Sequence, residues 1–170
     1  LDEPPHYPFE CITGGILGKG KSTISTCINY GSIDAVTYNS EVSVVICGGI
    51  SGCDSIYSND STITNCINAG AHLNIASKGA GELHKLSKVS RISPVASTIV
   101  NCYSYDKTMV NGIICQDTGL TKPNGNNITK GDLLLRSSYP GFDFSNTWMI
   151  DTKVGGAILR EVPFTIEPTE

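Results

Sequence analysis

Ser61-Thr-Ile-Thr-Asn-Cys-Ile-Asn68 decides the reading of the fold, because closely similar stretches stand on either side of it. The other two are Ser22-Thr-Ile-Ser-Thr-Cys-Ile-Asn29 and Ser97-Thr-Ile-Val-Asn-Cys-Tyr-Ser104, and successive copies begin 39 and 36 residues apart. A second element precedes the first two copies, as Gly14-Gly-Ile-Leu-Gly18 and Gly48-Gly-Ile-Ser-Gly52. Before the third copy it is degraded to Arg91-Ile-Ser-Pro-Val-Ala96. A third element, Gly31-Ser-Ile-Asp34 and Gly70-Ala-His-Leu73, follows the first two copies. Recurrence of both identity and order marks an internal repeat. Each unit offers short apolar segments punctuated by Gly or Asn. A single unit cannot bury its own apolar face, whereas stacked units share a continuous core.

Within each copy Ile and Cys have opposite strand parity: Ile24 with Cys27, Ile63 with Cys66, Ile99 with Cys102. Both side chains of a pair point inward only if the backbone bends between them. The residue before each Cys is Thr26, Asn65 or Asn101, and Asn tolerates left-handed geometry and bonds locally to the main chain. A corner is therefore expected there. The three Cys and the three Ile would then form structural ladders from copy to copy.

Composition agrees with strands. Ser, Thr and Asn supply 45 of the 170 residues, and Ile plus Val (29) outnumber Leu plus Ala (17), a balance that disfavours helices. Scarce Leu argues against a leucine-rich repeat, and a propeller needs more chain than is present. The expected fold class is all-β: a short right-handed parallel β-helix, or β-solenoid, of about three coils. The coils are placed at 11–44, 45–88 and 89–115, after a linker or entry segment at 1–10. An irregular capping segment at 116–170, containing Phe142, Phe144 and Trp148, is expected to close the open end. Coils about 4.8 Å apart give only about 15 Å of stack, so adjoining domains or oligomerisation are expected.

The net charge is −4 with charged residues at only 16%. The best basic cluster, Lys78, Lys85, Lys88 and Arg91, sits among neutral residues and reads as a solvated loop rather than the basic stripe of a nucleic-acid binder. No apolar run reaches the roughly 20 residues needed to span a bilayer, and no basic amphipathic helix is visible. No nucleic-acid partner and no direct membrane insertion are therefore expected. The opening Leu-Asp-Glu-Pro-Pro-His has neither initiator Met nor signal-peptide character, and reads as a processed or excised piece.

The Gly-Gly-Ile-x-Gly element followed by Ser-Thr-Ile-x-Asn-Cys-x-Asn resembles the GLUG-motif repeats of bacterial surface proteins. These occur in adhesin-like proteins and in non-catalytic parts of some immunoglobulin-cleaving metallopeptidases. The resemblance covers roughly residues 11 to 115, and Ile128-Thr-Lys-Gly-Asp-Leu133, Gly141-Phe-Asp-Phe-Ser-Asn-Thr-Trp148 and Gly155-Gly-Ala-Ile-Leu-Arg160 look like the segment that closes such arrays. Two departures stand out: the third Gly-Gly-Ile is lost, and residues 71–90 make a longer spacer than the first copy has. The resemblance implies a secreted or surface-displayed extracellular module and identifies no ligand.

Seven cysteines stand at 11, 27, 47, 53, 66, 102 and 115. Buried apolar filling is the favoured reading of the repeat cysteines, and Cys11 with Cys47 suggests a second ladder. Disulfides remain the alternative, with pairing undetermined by sequence. No metal or other cofactor is expected: there is no Cys-x-x-Cys, and His6, His72 and His84 lack ligand spacing. No His-Glu-x-x-His, nucleophile elbow or phosphate loop occurs. The expected function is a non-catalytic adhesin or stalk contacting host glycan or extracellular protein. The alternatives are a polysaccharide-active β-helix enzyme, by fold analogy alone, and a phage or appendage fibre segment. Candidate ligand-binding residues are Tyr30, Tyr57 and Tyr105, which could stack on sugar rings, with His72 and His84 in the 71–90 spacer, read as a protruding loop. Packing is the competing role for the tyrosines.

Overall fold

The computed structural model describes residues 9–38, 43–53, 61–78, 82–83, 87–95 and 98–160. Candidate residues Tyr57 and His84 lie outside them, as does the side chain of Cys53. The chain is all-β, with mostly parallel pairing and two short 3-10 turns, Asp132–Leu134 and Arg136–Ser138.

Equivalent parts of successive repeats pair strand on strand. Phe9–Gly14 lies beside Ser43–Gly48, and that strand beside Lys88–Ser90. Thr23–Ser25, Thr62–Thr64 and Thr98–Val100 align so that Ile24, Ile63 and Ile99 are direct partners. Ile28–Asn29, Ile67–Asn68 and Tyr103–Tyr105 follow in the same order. Ile33–Thr37, His72–Ser77 and Met109–Val110 complete three tiers.

The corner between Ile and Cys lies where the pattern requires it. Thr26, Asn65 and Asn101 have φ of 52°, 54° and 51°, the left-handed region in which Asn is least penalised. The reversal of parity brings Ile24, Ile63, Ile99, Cys66 and Cys102 into one buried cluster with Ile50 and Ile92, and Cys27 packs at its edge. Each thiol also donates to the carbonyl two residues earlier: Cys27 to Ser25 (3.2 Å), Cys66 to Thr64 (3.2 Å) and Cys102 to Val100 (3.4 Å). A small apolar residue with a weak donor suits this corner.

The Gly-Gly-Ile element is a tight turn stacked on its own copy. Ile16 and Leu17 N–H both donate to Ile50 O, and Ile50 and Ser51 N–H both donate to Ile92 O. A Cβ on Gly49 would stand 2.1 Å from Arg91 O and 2.6 Å from the Asn68 side chain. Gly15 faces Gly49 O and Asn29 in the same way. Only glycine fits these two places.

Several expectations need correction. Arg91 is not in a solvated loop but wholly buried. Cys11 and Cys47 do not stack: Cys11 pairs with Val45 and Cys47 with Thr13, because the two are offset by two residues relative to the following Gly-Gly. They share one apolar cluster all the same. His72 is on a paired strand, not in a protruding loop. Among the described residues every cysteine except Cys53, whose side chain is not described, is a free thiol.

The Trp148 segment also packs elsewhere than expected. Parallel pairing continues beyond residue 115, where Asn126–Ile128 lies on Tyr103–Tyr105 and Pro123 O accepts from Ile92 and Ser93. Beside it, Met109–Val110 turns back through Asn111 and Gly112 to pair antiparallel with Ile113–Ile114. These elements cover the third tier. The hairpin of Trp148–Asp151 and Gly156–Leu159 lies along the flank instead. With Leu133, Tyr139 and Phe142 it covers Ile28, Ile67 and Tyr103, one from each tier. Outward-facing Ile and Tyr side chains at that strand position need cover all along the stack, which an end cap could not supply.

Candidate functional site

The repeats present two polar lines on their inner and outer surfaces. Inside, Asn29, Asn68 and Ser104 share one register position, which Asn127 continues as an exposed residue at the end of the line. Asn29 Nδ2 donates to Asn68 Oδ1 (3.0 Å), and Asn68 Nδ2 to Ser104 Oγ (3.3 Å). The line ends at Arg91, whose guanidinium donates to the carbonyls of Asn124 (3.0 Å), Tyr105 (3.2 Å) and Gly125 (3.4 Å) and to Asn127 Oδ1 (2.9 Å). Burial lowers the Arg91 pKa, opposed by the nearby Cys115 and Asp106, and the guanidinium's hydrogen bonds go to neutral acceptors.

Outside, His72 Nε2 lies 3.2 Å from Asp34 Oδ2, and Asn74 Nδ2 donates to Asp34 Oδ1 at 2.8 Å. These two partners, Asn74 first, hold the Asp34 carboxyl below its ordinary range. The group is solvent-exposed and on a flat strand surface, so it is a surface polar cluster. Among the described residues no group of three or more His, Cys, Asp or Glu is placed to hold a metal ion.

A concave feature lies where the flanking segment meets the stack. A cleft of about 360 Å³ is lined by Tyr30, Ala69, Tyr105, Lys130, Leu133, Leu134, Lys153, Val154 and Gly155. Two of the candidate tyrosines, from the first and third tiers, thus share one cleft, and His72 does not line it. Tyr30 is committed in part to structure: its hydroxyl donates to Ala157 O at 2.9 Å, and burial raises its pKa. Tyr139 O–H donates to Leu133 O (2.6 Å) and accepts from Ala157 N–H (3.0 Å). That phenol ties the two walls of the cleft together.

Both lysines sit on turns fixed by aspartate. Asp132 Oδ2 accepts from Thr129 N–H and hydroxyl, on either side of Lys130. Asp151 Oδ1 accepts from the N–H groups of Lys153 (2.6 Å) and Val154 (3.2 Å). Lys130 Nζ lies 5.6 Å from the centre of the Tyr105 ring, within cation–π range. No lining residue carries a carboxylate.

Lys130, Leu133, Leu134 and Lys153 were missed by the sequence reading. Their local signals, Thr-Lys-Gly-Asp and Asp-Thr-Lys-Val-Gly, announce turns but carry no information about what the turns face. Comparison with known family models, curated proteins and solved structures finds no match to this chain.

Proposed function

We propose that the chain is a non-catalytic extracellular module of a bacterial surface protein, a GLUG-type repeat unit acting as an adhesin or stalk that contacts host glycan or protein. In this reading the three tiers are coils of a short right-handed β-solenoid, whose ends adjoin other domains of a larger protein. The observation that carries the contact role is the cleft between stack and hairpin, where Tyr30 and Tyr105 converge with apolar residues and two lysines. Such a mixture of aromatic faces and few polar groups is the usual make-up of a small-ligand site. Tyrosine offers an apolar face to sugar C–H groups and a polar edge to their hydroxyls.

The test is an array of host glycans, mucins and matrix proteins probed with the purified chain, with product analysis of every hit. Selective binding without product is expected. Turnover of a polysaccharide overturns the non-catalytic assignment, and binding to nothing reduces the role to that of a stalk.

A further inference from the structure

We infer that the cleft selects an acidic saccharide, with Lys130 and Lys153 receiving the sugar carboxylate and Tyr105 and Tyr30 forming the wall beside the ring. The inference rests on the glycan-contact reading and names the chemistry of its ligand.

Charge is the first argument. The chain as a whole carries −4, yet the cleft is lined by two lysines and no carboxylate. Neither lysine forms an ion pair among the described residues: the recorded lysine pairs are Lys19–Glu10, Lys107–Asp106 and Lys122–Asp117. Two lysines on the lining of one small cleft give it a positive character that an anion would complement. The aspartates that order the two turns are themselves engaged, Asp132 by Thr129 and Asp151 by the Lys153 and Val154 amides. They fix the turns rather than neutralise the lysines.

Geometry is the second. Lys130 is held against the Tyr105 ring, so part of the entropy of ordering a long side chain is already lost before a ligand arrives. Leu133, buried at 4% exposure, provides a rigid floor. The volume lies at the small end of ligand pockets. It suits a terminal sugar or a disaccharide rather than a long chain lying across the surface. Gly155 at the rim has φ of 85° and open space where a Cβ would stand, which leaves the entrance unobstructed.

The experiment titrates the whole chain with two pairs of probes, read by calorimetry and by amide and side-chain NMR shifts. One pair is a hyaluronan hexasaccharide and its carboxyl-reduced form; the other is sialyllactose and lactose. At least one acidic probe is expected to bind about tenfold or more tightly than its neutral counterpart, the worth of one charge-assisted hydrogen bond. Its affinity should fall with added salt. Lys130→Gln and Lys153→Gln should each weaken it about tenfold while leaving the melting temperature unchanged, since both side chains are exposed.

Equal affinity for a neutral counterpart overturns the acid selection and leaves the glycan reading standing. Acidic binding that survives both lysine substitutions places the site elsewhere. Failure of every probe overturns the inference, while the glycan and protein array decides the broader reading separately.

Discussion

In the first two tiers a glycine faces an asparagine, Gly15 with Asn29 and Gly49 with Asn68; in the third Arg91 stands at the glycine position and Ser104 at the asparagine position. The lower pairs have a carbonyl of the next tier directly overhead, at 2.3 Å from a Cβ on Gly15 and 2.1 Å from one on Gly49, so no side chain fits. Above Arg91 the ladder changes. Its N–H donates to the side-chain oxygen of Asn124 at 3.1 Å, and the chain there takes a shorter path through Pro123 to Asn126–Ile128. Room opens for a Cβ, the smaller Ser104 leaves volume, and the arginine fills it while its guanidinium donates to three backbone carbonyls and to Asn127 Oδ1. The first two tiers agree at this position because each has a carbonyl close overhead; the third differs because the chain that follows it takes another path.

The largest effect should come from breaking the stack where all tiers agree. Ile63→Asp places a charge without a partner at a site of 0% exposure, which costs several kcal/mol. Cooperative melting should be lost, and a near-wild-type melting curve would refute the inward assignment of the Ile ladder. Gly49→Ala comes next, at about 2–4 kcal/mol by overpacking against a carbonyl. Gly18→Ala is its control, since a Cβ there meets only Ile12 O, at 3.4 Å. Chemical denaturation of the pair should separate them clearly; equal stability would remove the steric account of the Gly-Gly turn.

The size exchange is tested by a cycle. Arg91→Gly removes the donor to Asn124 O, Tyr105 O, Gly125 O and Asn127 Oδ1 and should cost about 3 kcal/mol, since an unsatisfied buried acceptor such as Gly125 O costs about 1–3 kcal/mol while the more exposed acceptors regain water. Adding Ser104→Asn should recover part of that loss. Strict additivity of the two changes would mean the positions are uncoupled. Tyr139→Phe deletes the phenol that ties Leu133 to Ala157 and should cost about 1–2 kcal/mol, with the Lys130 and Lys153 turns losing hydrogen-exchange protection before the tiers do. Uniform loss across the molecule would show that flank and stack unfold as one unit.

The smallest effect at moderate pH is titration of the thiols. Burial, with Cys11 and Asp34 contributing, pushes Cys47 up to about 12 from the usual 9.0. Above pH 9 the unfolded chain releases that proton while the native state keeps it, so stability falls as pH rises from 9 toward 12. Cys47→Ala should flatten this part of the profile, and an unchanged slope would assign the loss to other groups. Cys66 is pushed up as well, by Cys102 and by burial, so native Cys47 and Cys66 should react with a thiol reagent far more slowly than half-buried Cys27.

Much of the stack was legible because repetition supplies the same evidence three times. Thr26, Asn65 and Asn101 could be read as corners because opposite parity of two inward residues demands a bend between them and Asn tolerates the left-handed geometry that makes one. Arg91 was misread for a related reason. Its neighbours are neutral and its repeat is degraded, so nothing local distinguishes a solvated arginine from one bonded to acceptors 14 to 36 residues later. The cysteines at 11 and 47 misled through similar placement before Gly-Gly, where an offset of two residues keeps the face and loses the pairing.

What the sequence settled by itself was the all-β character and the order and register of the repeated Ile-x-x-Cys segments, because each tier's apolar face can be buried only by its own copy. Tertiary structure alone decided where the Trp148 hairpin goes and what its turns face. Hydrophobicity specifies that Ile28, Ile67 and Tyr103 must be covered but is non-directional, so it does not name the segment that covers them. The cleft exists only because Tyr30, Tyr105, Lys130 and Lys153, remote in the chain, meet when that flank closes.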